Sequence, residues 1–373
     1  MAGLEHRPGE RSDALGAEGA PLKVRGAFAP RGRATKNDFG PPWAVAVSGG
    51  GDSLALMHLL HGFAKARALA APIVLTVDHG LRKTSARDAK KVLAWAKQAG
   101  LAAHLLTWGG KKPQSGIESQ AREARYRLMG DWLKKHKVTT LFVGHNLDDQ
   151  VETFLLRLAR GSGLDGLSGM VPRAPWPVPG FAQLTLARPM LGLGRDQLRA
   201  YLSALGQAWL DDPMNEDAGF DRVKIRKARA ALSQAGLMPA RIAAAAAHLA
   251  RARESLEIMT EAVLQRAARK SEDGGVLLDA AALAAAPREV GLRGLASVLM
   301  AVGGQAYRPR FESLERLYDR ITGAGLGAGA TLHGCQIRPA ARTFAPFSLV
   351  VIPENPRKTG SSTVSRGRKR IQQ

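Results

Sequence analysis

Ser48-Gly49-Gly50-Gly51-Asp52-Ser53 follows directly on the apolar run Trp43-Ala44-Val45-Ala46-Val47 and leads into Leu54-Ala55-Leu56. A strand that ends in three glycines and reopens as a helix has the geometry that cradles phosphate. The glycines let the backbone approach an anion closely, and the helix start offers unpaired N–H groups with about half a positive charge. The Ser48 and Ser53 hydroxyls add hydrogen bonds. The stretch is not a Walker A loop, since no Lys follows the last glycine, and it is not GxGxxG. Asp52 would repel phosphate unless a cation bridged the two, so its presence points to Mg²⁺ at the site. The plainer alternative is a tight turn whose Asp52 or Ser53 caps the helix.

Outward from this loop, short apolar runs alternate with helical patterns. Trp43 to Val47, Ile73 to Val77, Leu101 to Thr107 and Thr140 to Val143 read as strands, each followed by a helix-length segment. This rhythm predicts an α/β fold, a parallel, doubly wound sheet with its ligand crevice beyond the carboxyl ends of the strands. Residues 161–183, with Gly161, Gly163, Gly166, Gly169 and a Pro cluster from Pro172 to Pro179, read as loop, and the sheet unit is expected to close near residue 215. Asp221 to about Lys270 reads as helix. Helical patterns at 287–302 and 310–322, then strand-like runs near 329–338 and 347–352, predict a small α+β second domain with its boundary near 235. The expected organisation is therefore a mobile leader over 1–39, a catalytic domain over 40–235, a helical and α+β region over 236–355, and a basic disordered tail over 356–373.

The chain has 373 residues and a net charge of +22, from 54 Lys and Arg against 32 Asp and Glu. The leader carries +2 of this and the tail +6, which leaves +14 on residues 40–355. A folded region so basic seeks polyanions. With a single cysteine, Cys335, no internal disulfide or CxxC site is available, and no apolar signal segment or membrane-spanning run is present. A cytoplasmic location away from membranes is expected. The sequence leaves a homodimer open.

The loop resembles the SGGxDS signature of the PP-loop ATP pyrophosphatase superfamily, whose members cleave ATP between the α- and β-phosphates. Further stretches narrow the resemblance: Val77-Asp78-His79-Gly80-Leu81-Arg82, Glu118 to Tyr126, Gly144-His145-Asn146-Leu147-Asp148-Asp149-Gln150-Val151-Glu152-Thr153, Arg160-Gly161-Ser162-Gly163, Arg188-Pro189 and Asp212-Pro213-Met214-Asn215. In this order they look like the tRNA(Ile)-lysidine synthetase family over residues 43 to about 229. The sequence departs from that pattern at Asn146, Met214 and Val223. The resemblance implies ATP and free L-lysine as substrates and, as partner, isoleucine tRNA with a CAU anticodon. The carbon-2 oxygen of its wobble cytidine would be adenylated, and lysine would then displace AMP.

The residues themselves bear on each role. Glu118, Arg122 and Arg125 share one helix face beside the expected crevice, where Arg122 suits phosphate or developing negative charge. Asp149 and Glu152, one turn apart, can hold either Mg²⁺ or an ammonium of lysine, and charge alone does not choose. The resemblance matches both to the family's lysine-site acids, with Asp52 and Asp149 as candidate metal ligands. His145 reads as a general base or a nucleotide contact. Lys111-Lys112, Lys134 to Lys137 and the run Arg222, Lys224, Arg226, Lys227 and Arg229 form a candidate RNA surface. With aromatics at 5%, affinity would lean on phosphates more than on stacking. The rival readings are a sulfur-inserting PP-loop tRNA enzyme, disfavoured by the lone Cys335, and a nucleotide- and RNA-binding protein without catalysis.

Overall fold

The computed structural model describes residues 42–354, apart from 111, 212–220, 272–274, 306 and 324. The leader, the tail, Lys111 and the Asp212-Pro213-Met214-Asn215 stretch lie outside the described residues. The chain divides into two compact units, up to Ala250 and from Arg251.

The first unit runs β1 (Trp43–Ala46), α1 (Gly51–Ala66), β2 (Ile73–Asp78), α2 (Ser85–Gln98), β3 (Ala103–Thr107), α3 (Ile117–Lys135), β4 (Thr140–Phe142), α4 (Leu147–Ala159), α5 (Leu164–Leu167), β5 (Arg173–Pro175), β6 (Thr185–Ala187), α6 (Arg195–Ala204), α7 (Asp221–Gln234) and the opening turns of α8 (Pro239–Ala267). Its sheet has six strands in the order β3-β2-β1-β4-β6-β5. All neighbours pair parallel except β5 with β6. The order reverses between β1 and β4, which puts the ligand crevice outside their carboxyl ends.

Period-two alternation builds the two faces of this sheet. Trp43, Val45 and Val47 turn to one side, under α1, α2 and α6, while Ala44 turns to the other with Leu75, Tyr126, Trp132 and Leu133. On α2 the buried residues are Ala89, Val92 and Ala96, a helical spacing that lays one stripe on the sheet. The four strands expected from the apolar runs are all present. Two expectations are corrected. Residues 161–183 contain α5 and the edge strand β5, three residues ending in Pro175, which has no N–H to donate and so sits at an edge. The helix expected from Asp221 to Lys270 is broken at Gly236, whose φ of +82° leaves the helical region.

The domain division falls inside α8, beyond the expected residue 235. Ala246 packs near Gly169 of the first unit, while Val263 and Ala267 belong to the core of the second. That second unit continues with β7 (Ala268–Lys270), β8 (Val276–Leu278), α9 (Ala280–Ala284), α10 (Arg288–Gly303), α11 (Phe311–Thr322), β9 (Ala330–Leu332), β10 (Cys335–Pro339) and β11 (Leu349–Pro353). Its five-stranded antiparallel sheet, β7-β8-β11-β10-β9, backs onto α10. On α11 the buried Leu314, Leu317, Tyr318 and Ile321 form a single stripe. Cys335 is fully buried here, its thiol donates to the Leu299 carbonyl, and burial pushes the thiol up to about 11. Such a thiol is inert, the opposite of what a sulfur carrier needs. Among the described residues no helix is long and apolar enough to cross a membrane.

Candidate active site

The loop after β1 is built for close approach. Gly49 has a φ of +94°, and a Cβ there would lie 2.6 Å from Leu210 Cδ1. The Ser53 hydroxyl donates to the Gly50 carbonyl at 2.9 Å and accepts from the Ser48 N–H at 3.2 Å, which folds the loop over itself. No side chain caps the start of α1 at Gly50, which leaves its first N–H groups without an internal carboxylate partner. The capping alternative for Asp52 and Ser53 therefore fails: Asp52 points elsewhere.

Asp52 meets Arg195, whose Nε lies 3.4 Å from the Asp52 carboxylate and whose Nη2 lies 3.5 Å from that of Asp149. One guanidinium thus spans two acids brought in from β1 and β4. Burial pushes both carboxyls up, against the pull of Arg195: Asp52 upward, and Asp149 to about 6, with Glu152 and Asp52 adding to the rise. The β4–α4 connection reaches the loop because of Gly144, where a Cβ would sit 3.1 Å from the backbone of Asp52.

The start of α4 is fixed by reciprocal hydrogen bonds. Asp149 N–H donates to Asn146 Oδ1 and Asn146 N–H donates to Asp149 Oδ2, both at 3.0 Å, which is a capping box with Asp in the third position. Asp148 accepts from the Arg195 backbone N–H and from Arg229 Nη1, each at 2.7 Å. Glu152, whose side chain is 4% exposed, receives Arg226 in a two-pronged pair at 2.5 and 3.2 Å.

On the other side of the crevice the charge is positive. His145 Nδ1 accepts from Arg188 Nε at 3.3 Å. Burial, then the charges of Arg188, Arg122, Arg125 and Arg222, hold its pKa down to about 3. Its one free lone pair is engaged, so the neutral ring offers an Nε2–H donor rather than a base. Arg122 is exposed, with its guanidinium 5.1 Å from the centre of the Tyr126 ring. Glu118, one turn before Arg122 at the start of the same helix, is exposed and joins none of the contacts described for the crevice.

The structure thus gathers Ser48 to Ser53, Asp52, Asp149, Glu152, His145 and Arg122 at the carboxyl ends of β1 and β4. It divides the basic run of α7. Arg226 turns inward onto Glu152 and Arg229 pairs with Asp148 while staying half-exposed, whereas Lys224 is exposed beside Asp221 and Lys227 is exposed. Arg226, expected on the RNA surface, is corrected to an internal ion pair, because a buried Glu152 on α4 lies opposite it. Arg195, Arg188 and Asp148 carry contacts that spacing did not announce. Arg195 reaches Asp52 across 143 residues, a distance at which no sequence pattern signals contact.

Comparisons with known proteins agree with this geometry. Residues 32–231 match the PP-loop domain family. A tRNA(Ile)-lysidine synthase of Ruegeria pomeroyi is 41% identical over 309 residues, 80% of this chain and 72% of the relative. Another, from Methylobacterium nodulans, is 40% identical over 319 residues, covering 85% of this chain and 91% of its own length. Among solved structures, a U34-tRNA thiolase of Methanococcus maripaludis superposes with a TM-score of 0.45 at 17% identity, over 57% of this chain and 70% of that one, a likeness too slight to bear on function. With two fifths identity carried along most of both sequences, and the phosphate loop and the α4 acids joined at one crevice, the chain belongs to the tRNA(Ile)-lysidine synthase family.

Proposed function

We propose that this chain ligates lysine to carbon 2 of the wobble cytidine in CAU-anticodon isoleucine tRNA, through an adenylated cytidine, releasing pyrophosphate and then AMP. The observation that carries the reading is the meeting of Asp52 and Asp149 across one guanidinium: a phosphate loop and a cation-binding acid open on the same crevice. Adenylation forms a bond from the cytidine oxygen to the α-phosphorus and breaks the bond to pyrophosphate. It needs in-line placement and neutralised phosphates. The backbone of Gly49 to Gly51 supplies the first, and Arg122 at the rim supplies part of the second. His145, held neutral, donates from Nε2 to an oxygen in the crevice.

Asp52 and Asp149 fit a divalent cation: two half-buried carboxylates converge on one guanidinium, and carboxylate oxygens are the hard donors such an ion takes. Mg²⁺ held there would offset phosphate charge. In the second step the ε-amine of lysine attacks carbon 2, loses a proton and expels AMP. The ε-amine must be neutral to attack, so the ammonium that Asp149 holds is the α-ammonium. Glu152 contributes through its field and its bond to Arg226. All of these side chains come from one chain, so the reading calls on no residue of a second copy.

Incorporation of labelled lysine into CAU-anticodon isoleucine tRNA tests the reading directly. The intact protein is expected to label the RNA and release pyrophosphate, while Asp52→Ala and Asp149→Ala do neither. Absence of label with the intact protein rejects the proposal. For the tRNA surface, the exposed Lys224 and Lys227 are the informative pair. Reversing both to Glu is expected to raise KM for tRNA roughly tenfold at about 0.1 M salt and leave KM for ATP unchanged; a change in the ATP term instead would move α7's outer face away from RNA.

A further inference from the structure

Helix α6 lays Arg195, Arg199 and Leu202 on one face, at i, i+4 and i+7, and that face meets the start of α1. Arg195 is engaged by Asp52 and Asp149. Arg199 is placed otherwise. Its Cγ lies 3.9 Å from where a Cβ on Gly51 would stand, directly beside the phosphate loop. Its side chain is 50% exposed, and among the described residues its ion pair is a loose one, Nη2 to Asp211 at 3.8 Å, with an Asp211 side chain that is 83% exposed. Such a pair contributes little and gives way readily to a better anion. The charge nonetheless reaches the loop: burial raises the Asp52 carboxyl, and Arg199 stands with Arg195 among the groups that pull against the rise. A short segment holds this geometry. Leu210 N–H donates to the Gly49 carbonyl at 2.9 Å, Trp209 Cγ lies 3.7 Å from the same Gly51 position, and the Trp209 ring stands 6.0 Å from the Arg199 guanidinium.

We propose that Arg199 binds the β- and γ-phosphates of the ATP held by the Ser48 to Ser53 loop, and so holds pyrophosphate as it leaves. The inference rests on the reading of that loop as the ATP site. The glycines and the uncapped helix start supply backbone N–H donors but no full charge, and Arg195 is already matched by two acids. A triphosphate brought there needs a further cation, and the planar fork of an arginine meets phosphate oxygens in pairs. Position selects the end of the triphosphate. Asp52 and Asp149 mark the reacting side, where cytidine meets the α-phosphorus, and Arg199 stands one turn of α6, about 6 Å, further on. The fork therefore faces the leaving group, whose charge grows as its bond to the α-phosphorus breaks.

Titration calorimetry in the presence of Mg²⁺, alongside thermal melts, tests the assignment. Arg199→Met keeps the apolar stem and removes the fork. Its Kd for α,β-methylene ATP and for inorganic pyrophosphate is expected to rise about tenfold or more, while Kd for AMP and the melting temperature stay as in the intact protein. Arg199→Lys keeps the charge without the fork, and its Kd for both probes is expected to fall between the two. If Arg199→Met binds the analogue and pyrophosphate as tightly as the intact protein, Arg199 does not meet these phosphates and the assignment falls, with the loop reading intact. An equal loss of AMP binding overturns it as well, since the arginine would then be shaping the loop rather than meeting the β- and γ-phosphates. If the unsubstituted protein binds neither the analogue nor pyrophosphate, the loop reading falls and takes this inference with it.

Discussion

Asp149→Asn is expected to make the protein more stable and inactive at once. Burial raises the Asp149 carboxyl to about 6 from an ordinary value of 3.8. A carboxyl raised on folding supports the folded state fully below its unfolded value and withdraws that support as pH climbs through the folded one. At pH 7.5 the ionised side chain therefore opposes folding by about 3 kcal/mol, from a gap of roughly two pH units. Asparagine keeps the shape, and its oxygen still accepts from the Asn146 N–H, but the buried charge is gone. The first unit should melt several degrees higher at pH 7.5, and roughly half of the free-energy gain should be lost by pH 5. Lysine ligation should fall by on the order of 100-fold in kcat/KM for lysine, the worth of a charge-assisted hydrogen bond to an ammonium. Melting curves at the two pH values, with a lysine titration, check both halves. A lower melting point at pH 7.5 would mean that the attraction to Arg195 outweighs the desolvation, and the acid would then be structural.

That a functional acid should weaken its own fold is consistent with how little of the site its local sequence accounts for. The strands were legible, since Trp43, Val45 and Val47 alternate as a buried strand must, and the run Gly49-Gly50-Gly51 after them has few uses. Asp149 and Glu152 were legible as a pair because one helical turn brings them to one face. Their partners were not. Arg195 lies 143 residues from Asp52 and Arg226 lies 74 from Glu152, and no periodicity spans such separations. The short strands β7 and β8 escaped for another reason: at three residues each they show too little alternation to be told from loop. The break at Gly236 was legible in principle, because a glycine followed shortly by Pro239 is a helix stop and start, but the long alanine-rich run behind it dominated the pattern.

The basic run of α7 shows what this costs a reading from charge alone, and Arg226 turns the point into a measurement. A lysine or arginine on a phosphate-binding face can be removed with little effect on folding, since exposed charges contribute at most about 1 kcal/mol. Arg226 is placed differently: it grips a Glu152 side chain that is 4% exposed, through two nitrogens. Arg226→Met leaves that carboxylate buried and unpaired, and the expected loss is about 3–5 kcal/mol, a large part of the roughly 5–15 kcal/mol a domain possesses. Denaturant unfolding of the first unit should register it as a lower midpoint. Adding Glu152→Met removes the stranded charge and should restore most of the loss, because a buried ion pair replaced by apolar side chains of similar volume is close to neutral. Activity should not return with the stability, since the double variant has lost one of the acids that set the field around Asp149. A single variant that folds as well as the parent but binds tRNA weakly would put Arg226 back on the RNA surface. The opposite signature, an unstable single variant rescued by the second change, assigns it to holding α7 against α4, with RNA contact left to the lysines on the other side of the helix.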